Sequence, residues 1–135
     1  MARLHEFRAE QILALCNSCH HALGGQAASG LPSDLARAQP QALMMSRCFQ
    51  QSQGKLTCTT CHDPHTPVQK ETLHYEKACL QCHSAQQPKS TLCPVNKTSG
   101  CIDCHMGKET IKVFNATLFT HHWIRKKLPP PEARK

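Results

Sequence analysis

The sequence predicts one domain, residues 1–135, of short α-helices joined by irregular chain, with little or no β-structure. Its interior should be filled by something other than side chains. Phe, Trp and Tyr number only six in 135 residues, and ten of the nominally apolar residues are cysteines. A chain of this size ordinarily needs more large apolar side chains to offset its conformational entropy. Helix-like stretches are brief, Gly, Pro and Ser interrupt them, and strand signals are scarce.

In chain order, LHEFRAEQILALC reads as a loosely amphipathic helix through Leu4, Phe7, Ile12 and Leu15. Residues 24–40 are rich in Gly, Ala, Ser and Pro and read as a long loop, with a short helix near 34–38. KETLHYEKACLQCH reads as another helix. Ser99 before CIDCH and Gly107 after it act as helix start and stop signals. The ending WIRKKLPPPEARK is basic, then proline-rich, so 129–135 reads as a solvated extended tail. The other reading of that tail is a segment docking on an acidic partner or an adjoining subunit.

Cys-x-x-Cys-His occurs four times: at Cys16, Cys19 and His20; at Cys58, Cys61 and His62; at Cys79, Cys82 and His83; and at Cys101, Cys104 and His105. The first copy begins 42 residues before the second, and the later copies follow at intervals of about 21. Two thiols one helical turn apart can add to the two vinyl groups of one haem, and a histidine four residues after the first thiol shares its helical face. That imidazole supplies the proximal iron ligand, while the thioethers keep the haem from leaving. Zinc is the rival, since Cys-x-x-Cys pairs build four-cysteine sites, but such sites need no histidine after every second cysteine. A thioredoxin-like redox pair would need a strand–helix–strand setting, which no copy has. The expected cofactors are therefore four haems c, and these would form the core.

Ten histidines are present, and four are proximal ligands on this reading. His65 follows His62 by three residues, across Asp63 and Pro64, and cannot reach around the porphyrin to the opposite face of the same iron. If it binds metal, it binds the iron of a neighbouring haem; the alternative is a solvated histidine in an Asp-Pro turn. His21 is adjacent to a proximal ligand and points elsewhere on a helix. One of the neighbours His121 and His122 would serve. His5, His65, His74 and one of that pair then give four distal candidates for four irons, so every haem is expected to be bis-histidine and six-coordinate. His5 could equally reach a haem of an adjacent subunit. Methionine is the competing ligand: Met106 shares the reach problem of His21, and Met44 and Met45 read as gap-fillers.

The stretch CTTCHDPH, preceded by SRCFQQSQGKL and followed by CLQCH, CPVN, CIDCHM and FTHHWIR, resembles the doubled-CXXCH multihaem c-type cytochromes. This class includes tetrahaem electron carriers of nitrifying bacteria and related proteins with tetratricopeptide segments. The resemblance covers about residues 12–126. It implies that His65 ligates a neighbouring haem, and that the histidine of an FTDHWIR-like ending corresponds to His122, with His121 where an acid is more usual. Gly107 departs from the proline that often follows CHM, and longer relatives carry further haem sites upstream. Small tetrahaem chains of this density also look like subunits of extracellular cytochrome filaments.

Cys48 and Cys93 remain outside the motifs, and an even remainder in an oxidising compartment predicts a disulfide, worth about 4 kcal/mol on the chain-entropy treatment; the alternative is two separate buried thiols. Thioether attachment of haem occurs outside the cytoplasm, so a periplasmic or extracellular location is expected. No secretory signal is visible, since MARLHEFRAE has no apolar stretch, and no membrane span is present. The formal charge of +7 would ordinarily point to nucleic acid. Eight propionates set against four ferric centres reduce it to about +3 oxidised and about −1 reduced, which removes that case.

Electron transfer with redox partner proteins is thus the expected function, since six-coordinate iron leaves no open site for substrate. No enzymatic activity is expected on this reading. An enzyme acting on small nitrogen compounds at one five-coordinate haem is the alternative. Assembly into a homo-oligomer or filament with inter-subunit haem contacts is compatible with conduction.

Overall fold

The computed structural model describes residues 6–20, 38–86, 92–95, 98–111 and 117–126. His5, nearly all of the loop 24–40 and the tail 129–135 lie outside the described residues.

Good helix formers drive α1, Ala9–Asn17 (AEQILALCN). Its start is tied by the Gln11 Oε1 atom, which accepts the Arg8 N–H at 2.9 Å. Its end closes where the Ser18 hydroxyl donates to the Leu15 carbonyl at 2.7 Å. The face turned inward is Ala9, Ile12 and Leu13, not the expected Phe7, Ile12 and Leu15 stripe. Leu15 is 59% exposed, whereas Leu13, two residues earlier and so on a different side of the helix, is buried.

The second helix, α2, is Gln39–Met44, with Pro40 in its first turn, where proline is tolerated. A short α3, Arg47–Gln51, follows and turns off through Gln53 and Gly54, both at positive φ. The helices α4, Cys58–Cys61, α5, Thr72–Leu80, and α6, Cys101–His105, each hold cysteines of a motif. For α6 the start comes one residue later than Ser99 implied. Gly100 occupies the N-cap at φ 75°, a left-handed conformation suited to glycine.

After α6 the chain forms an antiparallel ribbon of β1, Lys108–Ile111, and β2, Thr117–Thr120, with Lys108 opposite Thr120 and Ile111 opposite Thr117. The sequence expectation had given this region no strand of its own. KETI and TLFT are each four residues, too short for a period-two pattern to stand out, although Thr, Ile and Phe favour strands. A two-stranded ribbon is marginal alone. Here the pairing continues past it: His121 N–H donates to the Gly107 carbonyl at 2.8 Å, and Arg125 N–H to the His105 carbonyl at 3.1 Å. The segment 121–125 therefore runs back along the fourth motif.

The interior is sparse. Buried apolar residues are Ala9, Ile12, Leu13, Ala38, Ala42, Leu43 and Ile102, while Leu73, Val68 and Val95 stay exposed. Trp123 packs on Ala38 and Ala42, with the Arg125 guanidinium 4.8 Å over its ring. Among the described residues the largest wholly buried side chains are polar: His121, Glu76 and Ser46. The Ser46 hydroxyl accepts the Ile124 N–H at 2.8 Å and has the Ala42 and His122 carbonyls at 3.4 and 3.3 Å to donate to. It thereby pins the C-terminal segment to the end of α2. The Asn17 and Gln41 amides join α1 to the same helix.

Replacing Ser46 by Ala should lower the free energy of unfolding by about 1–3 kcal/mol, because the buried Ile124 N–H loses its acceptor. Urea denaturation of the two proteins measures this, and an unchanged midpoint would show that the hydroxyl is not the pin.

Candidate cofactor-attachment sites

Each Cys-x-x-Cys-His segment folds into a single helical turn. The amides of His20, His62 and His83 donate to the carbonyls of Cys16, Cys58 and Cys79 respectively, each at 2.9 Å. The fourth copy is the helix α6 itself. Both cysteines and the histidine of each copy are thus arrayed on one turn, as an i to i+4 hydrogen bond requires. In three copies the second cysteine, Cys19, Cys82 or Cys104, is exposed, and its first cysteine is half-buried.

The first cysteines meet in pairs. Burial, then the neighbouring Cys16, pushes the Cys58 thiol up to about 12. Burial, then Cys101 and Cys61, pushes the Cys79 thiol up to about 12. Cys101 is raised by burial and by the carboxylate of Glu76. Cys48 and Cys93 are not joined in a disulfide. Both are half-buried thiols, the alternative to the expected bridge.

Glu76 went unnoticed in the sequence and is a structural centre here. It is 1% exposed on α5, and its two carboxylate oxygens accept the N–H groups of Gly100 and Ile102 at 3.0 and 3.2 Å. A side chain of the third motif's helix therefore caps the helix of the fourth, satisfying donors that a helix start leaves open. The partners lie 24 and 26 residues away, so no local capping pattern could have disclosed it.

Several histidines present one ring nitrogen and tie down the other. The His105 Nδ1–H donates to the Arg125 carbonyl at 2.6 Å, and the His122 Nδ1–H donates to the Thr120 carbonyl at 3.1 Å. A carbonyl can only accept, so in both rings Nδ1 carries the proton and Nε2 keeps its lone pair, the tautomer suited to metal ligation. His20 Nδ1 lies 3.2 Å from the Gln39 amide oxygen in the same manner. His121 is the reverse case. Its Nδ1 accepts the Trp123 N–H at 3.0 Å, which leaves the proton on Nε2, and the residue is wholly buried.

His20, His62, His74 and His122 share one neighbourhood. The His62 ring lies 6.1 Å from His122 and 5.1 Å from Tyr75, and His74 meets Tyr75 edge-on at 5.0 Å. Burial, with His20 and His74, holds His62 below the ordinary imidazole range. Burial first, then His62, pushes His122 down to about 4, with the Thr120 carbonyl opposing. Two of the expected proximal ligands and two of the expected distal ones are therefore close together. His65 stands apart on an exposed turn, where its N–H donates to the Asp63 carboxylate at 2.9 Å. His83 is also exposed. Among the described residues no group of three or more His, Cys, Asp or Glu side chains is arranged to hold a metal ion by itself. An iron within a porphyrin asks for fewer protein ligands, imidazoles being sufficient, and His105 and His122 fit that demand in residue type and tautomer.

Replacing Glu76 by Ala should cost about 2–3 kcal/mol of stability, since two helix N–H groups lose a charged acceptor; Gln should recover part of this. Chemical denaturation of the three proteins decides it, and equal midpoints would deny the cap. In the haem-free chain at pH 8, alkylation should reach the exposed Cys19, Cys82 and Cys104 first. Cys58 and Cys79 should react last, because a thiol titrating near 12 stays protonated at that pH. Peptide mapping over time would show the order, and early labelling of Cys79 would contradict it.

Comparison of the chain with protein-family models, with curated proteins and with solved structures gives no match.

Proposed function

We propose that the chain carries four covalently attached haems c and conducts electrons between redox partner proteins, in the periplasm or outside the cell. The observation that carries this reading is the shared shape of the four motifs. Each is one turn of helix with two thiols and an imidazole on it, closed by its own hydrogen bond from histidine amide to first-cysteine carbonyl or by lying within a helix. Each bound haem would supply reversible one-electron cycling of its iron.

The protein's own part is to hold, orient and space. Cys16 and Cys19, Cys58 and Cys61, Cys79 and Cys82, and Cys101 and Cys104 tether; His20, His62, His83 and His105 bind the near face. His65, His74 and His122, with His5 beyond the described residues, are the ligands proposed for the far face. The Arg125 carbonyl fixes the orientation and tautomer of the His105 ring through the Nδ1–H bond. Packing also favours a path. Helix α1 lies against α4, α4 against α5 and α5 against α6, so the four motifs adjoin one another in chain order. Exposed apolar side chains such as Leu15, Met44 and Leu73 would be covered by porphyrin. Among the described residues no helix is long and apolar enough to cross a membrane.

The pyridine haemochrome assay on the purified protein should return four haems per chain, with a low-spin ferric EPR spectrum and no carbon monoxide binding after reduction. Zinc in place of iron would overturn the proposal. Carbon monoxide binding at one haem would replace simple conduction with an open, reactive iron.

A further inference from the structure

His62 and His122 arrive from distant parts of the chain, one directly after α4 and the other two residues beyond β2. Their ring centroids are 6.1 Å apart and their planes differ by 30°. Two imidazoles coordinating one iron from opposite faces stand with centroids roughly 6 Å apart, because each metal–nitrogen bond is about 2 Å and each ring adds about 1 Å. Ordinary ring contacts also occur at this spacing, so the separation is not the whole argument.

The second observation is the His122 tautomer. Its Nδ1–H is committed to the Thr120 carbonyl, which leaves Nε2 as the ligating atom. The third is its rigid backing. The buried Ser46 hydroxyl holds the backbone on both sides of Trp123, at the His122 carbonyl and the Ile124 N–H, and the next residue, Arg125, is paired with His105. A ligand delivered from a long sequence distance needs such anchoring, since its ring must be held within a fraction of an ångström of the metal axis. The fourth is His121, whose Nδ1 is spent on the Trp123 N–H; of the two neighbours it is the one committed to structure.

We infer that His62 and His122 are the two axial ligands of one iron, that of the haem tethered through Cys58 and Cys61. This rests on the four-haem reading and goes beyond it by assigning a particular pair. It also gives the segment 121–125 a double duty: its Arg125 carbonyl steadies the near-face ligand of the fourth site, while its His122 closes the far face of the second.

The test uses the full, haem-loaded chain with His122→Met. In the reduced protein the methionine methyl, lying over a porphyrin, should be shifted far upfield in the proton NMR spectrum. Its nuclear Overhauser contacts should lead to the thioether bridges of Cys58 and Cys61. Contacts to the bridges of any other motif would overturn the pairing. If methionine does not bind, His122→Ala serves: one haem per chain should bind carbon monoxide, and adding Cys58→Ala and Cys61→Ala should abolish that binding. A carbon monoxide-binding haem that persists in the combined variant overturns the pairing, as does a His122→Ala protein whose haems all stay six-coordinate. An unaltered chain that carries no haem overturns the wider reading, and the pairing with it, so the two failures are distinguishable.

Discussion

The hydrogen bond from the motif histidine's amide to the first cysteine's carbonyl is the constraint on which the rest of the molecule depends. It closes in three copies at the same length, 2.9 Å, and the fourth copy is itself a helix. One turn is all the secondary structure each site needs, and α4 is only four residues long. Helices this short are unstable alone in water, so their persistence has to come from what they touch.

Much of what they touch is polar. A domain of 135 residues would ordinarily be held by apolar side chains, yet among the described residues the largest wholly buried groups are a histidine, a glutamate and a serine. Each is hydrogen-bonded to backbone from another part of the chain or closes a turn of its own. Glu76 binds the third site's helix to the fourth's, and Ser46 binds the end of α2 to the segment after β2. Such contacts add less than apolar burial but constrain geometry more tightly, because a buried donor without its acceptor is costly. That exchange would suit the proposed scaffold, in which porphyrin would supply the apolar bulk.

The electrostatics follow from the same economy. Cys58, Cys79 and Cys101 each lie near a thiol of an adjacent motif, Cys79 and Cys101 near the Glu76 carboxylate as well, and burial pushes all three toward the neutral form. Burial likewise lowers His62 and His122, with His122 the further displaced. Neutral thiols and neutral imidazoles are the forms in which such groups can lie side by side out of water.

The sequence by itself determined the four Cys-x-x-Cys-His turns and the place of each histidine on its turn, because these rest on an i to i+4 geometry that any helix repeats. The Asp-Pro turn at His65, read from the sequence as the alternative to ligation, was legible from local turn chemistry. Tertiary structure decided what depends on distant partners. It turned Leu13 inward and left Leu15 out. It left Cys48 and Cys93 as two separate, half-buried thiols. It made Glu76 a cap for a helix 24 residues on, and Ser46 a pin for backbone 78 residues on. It also separated His121 from His122, which are equivalent in composition. The way the ribbon ends gives one an N–H to accept and the other a carbonyl to donate to, and that difference alone sets which nitrogen is left for a metal.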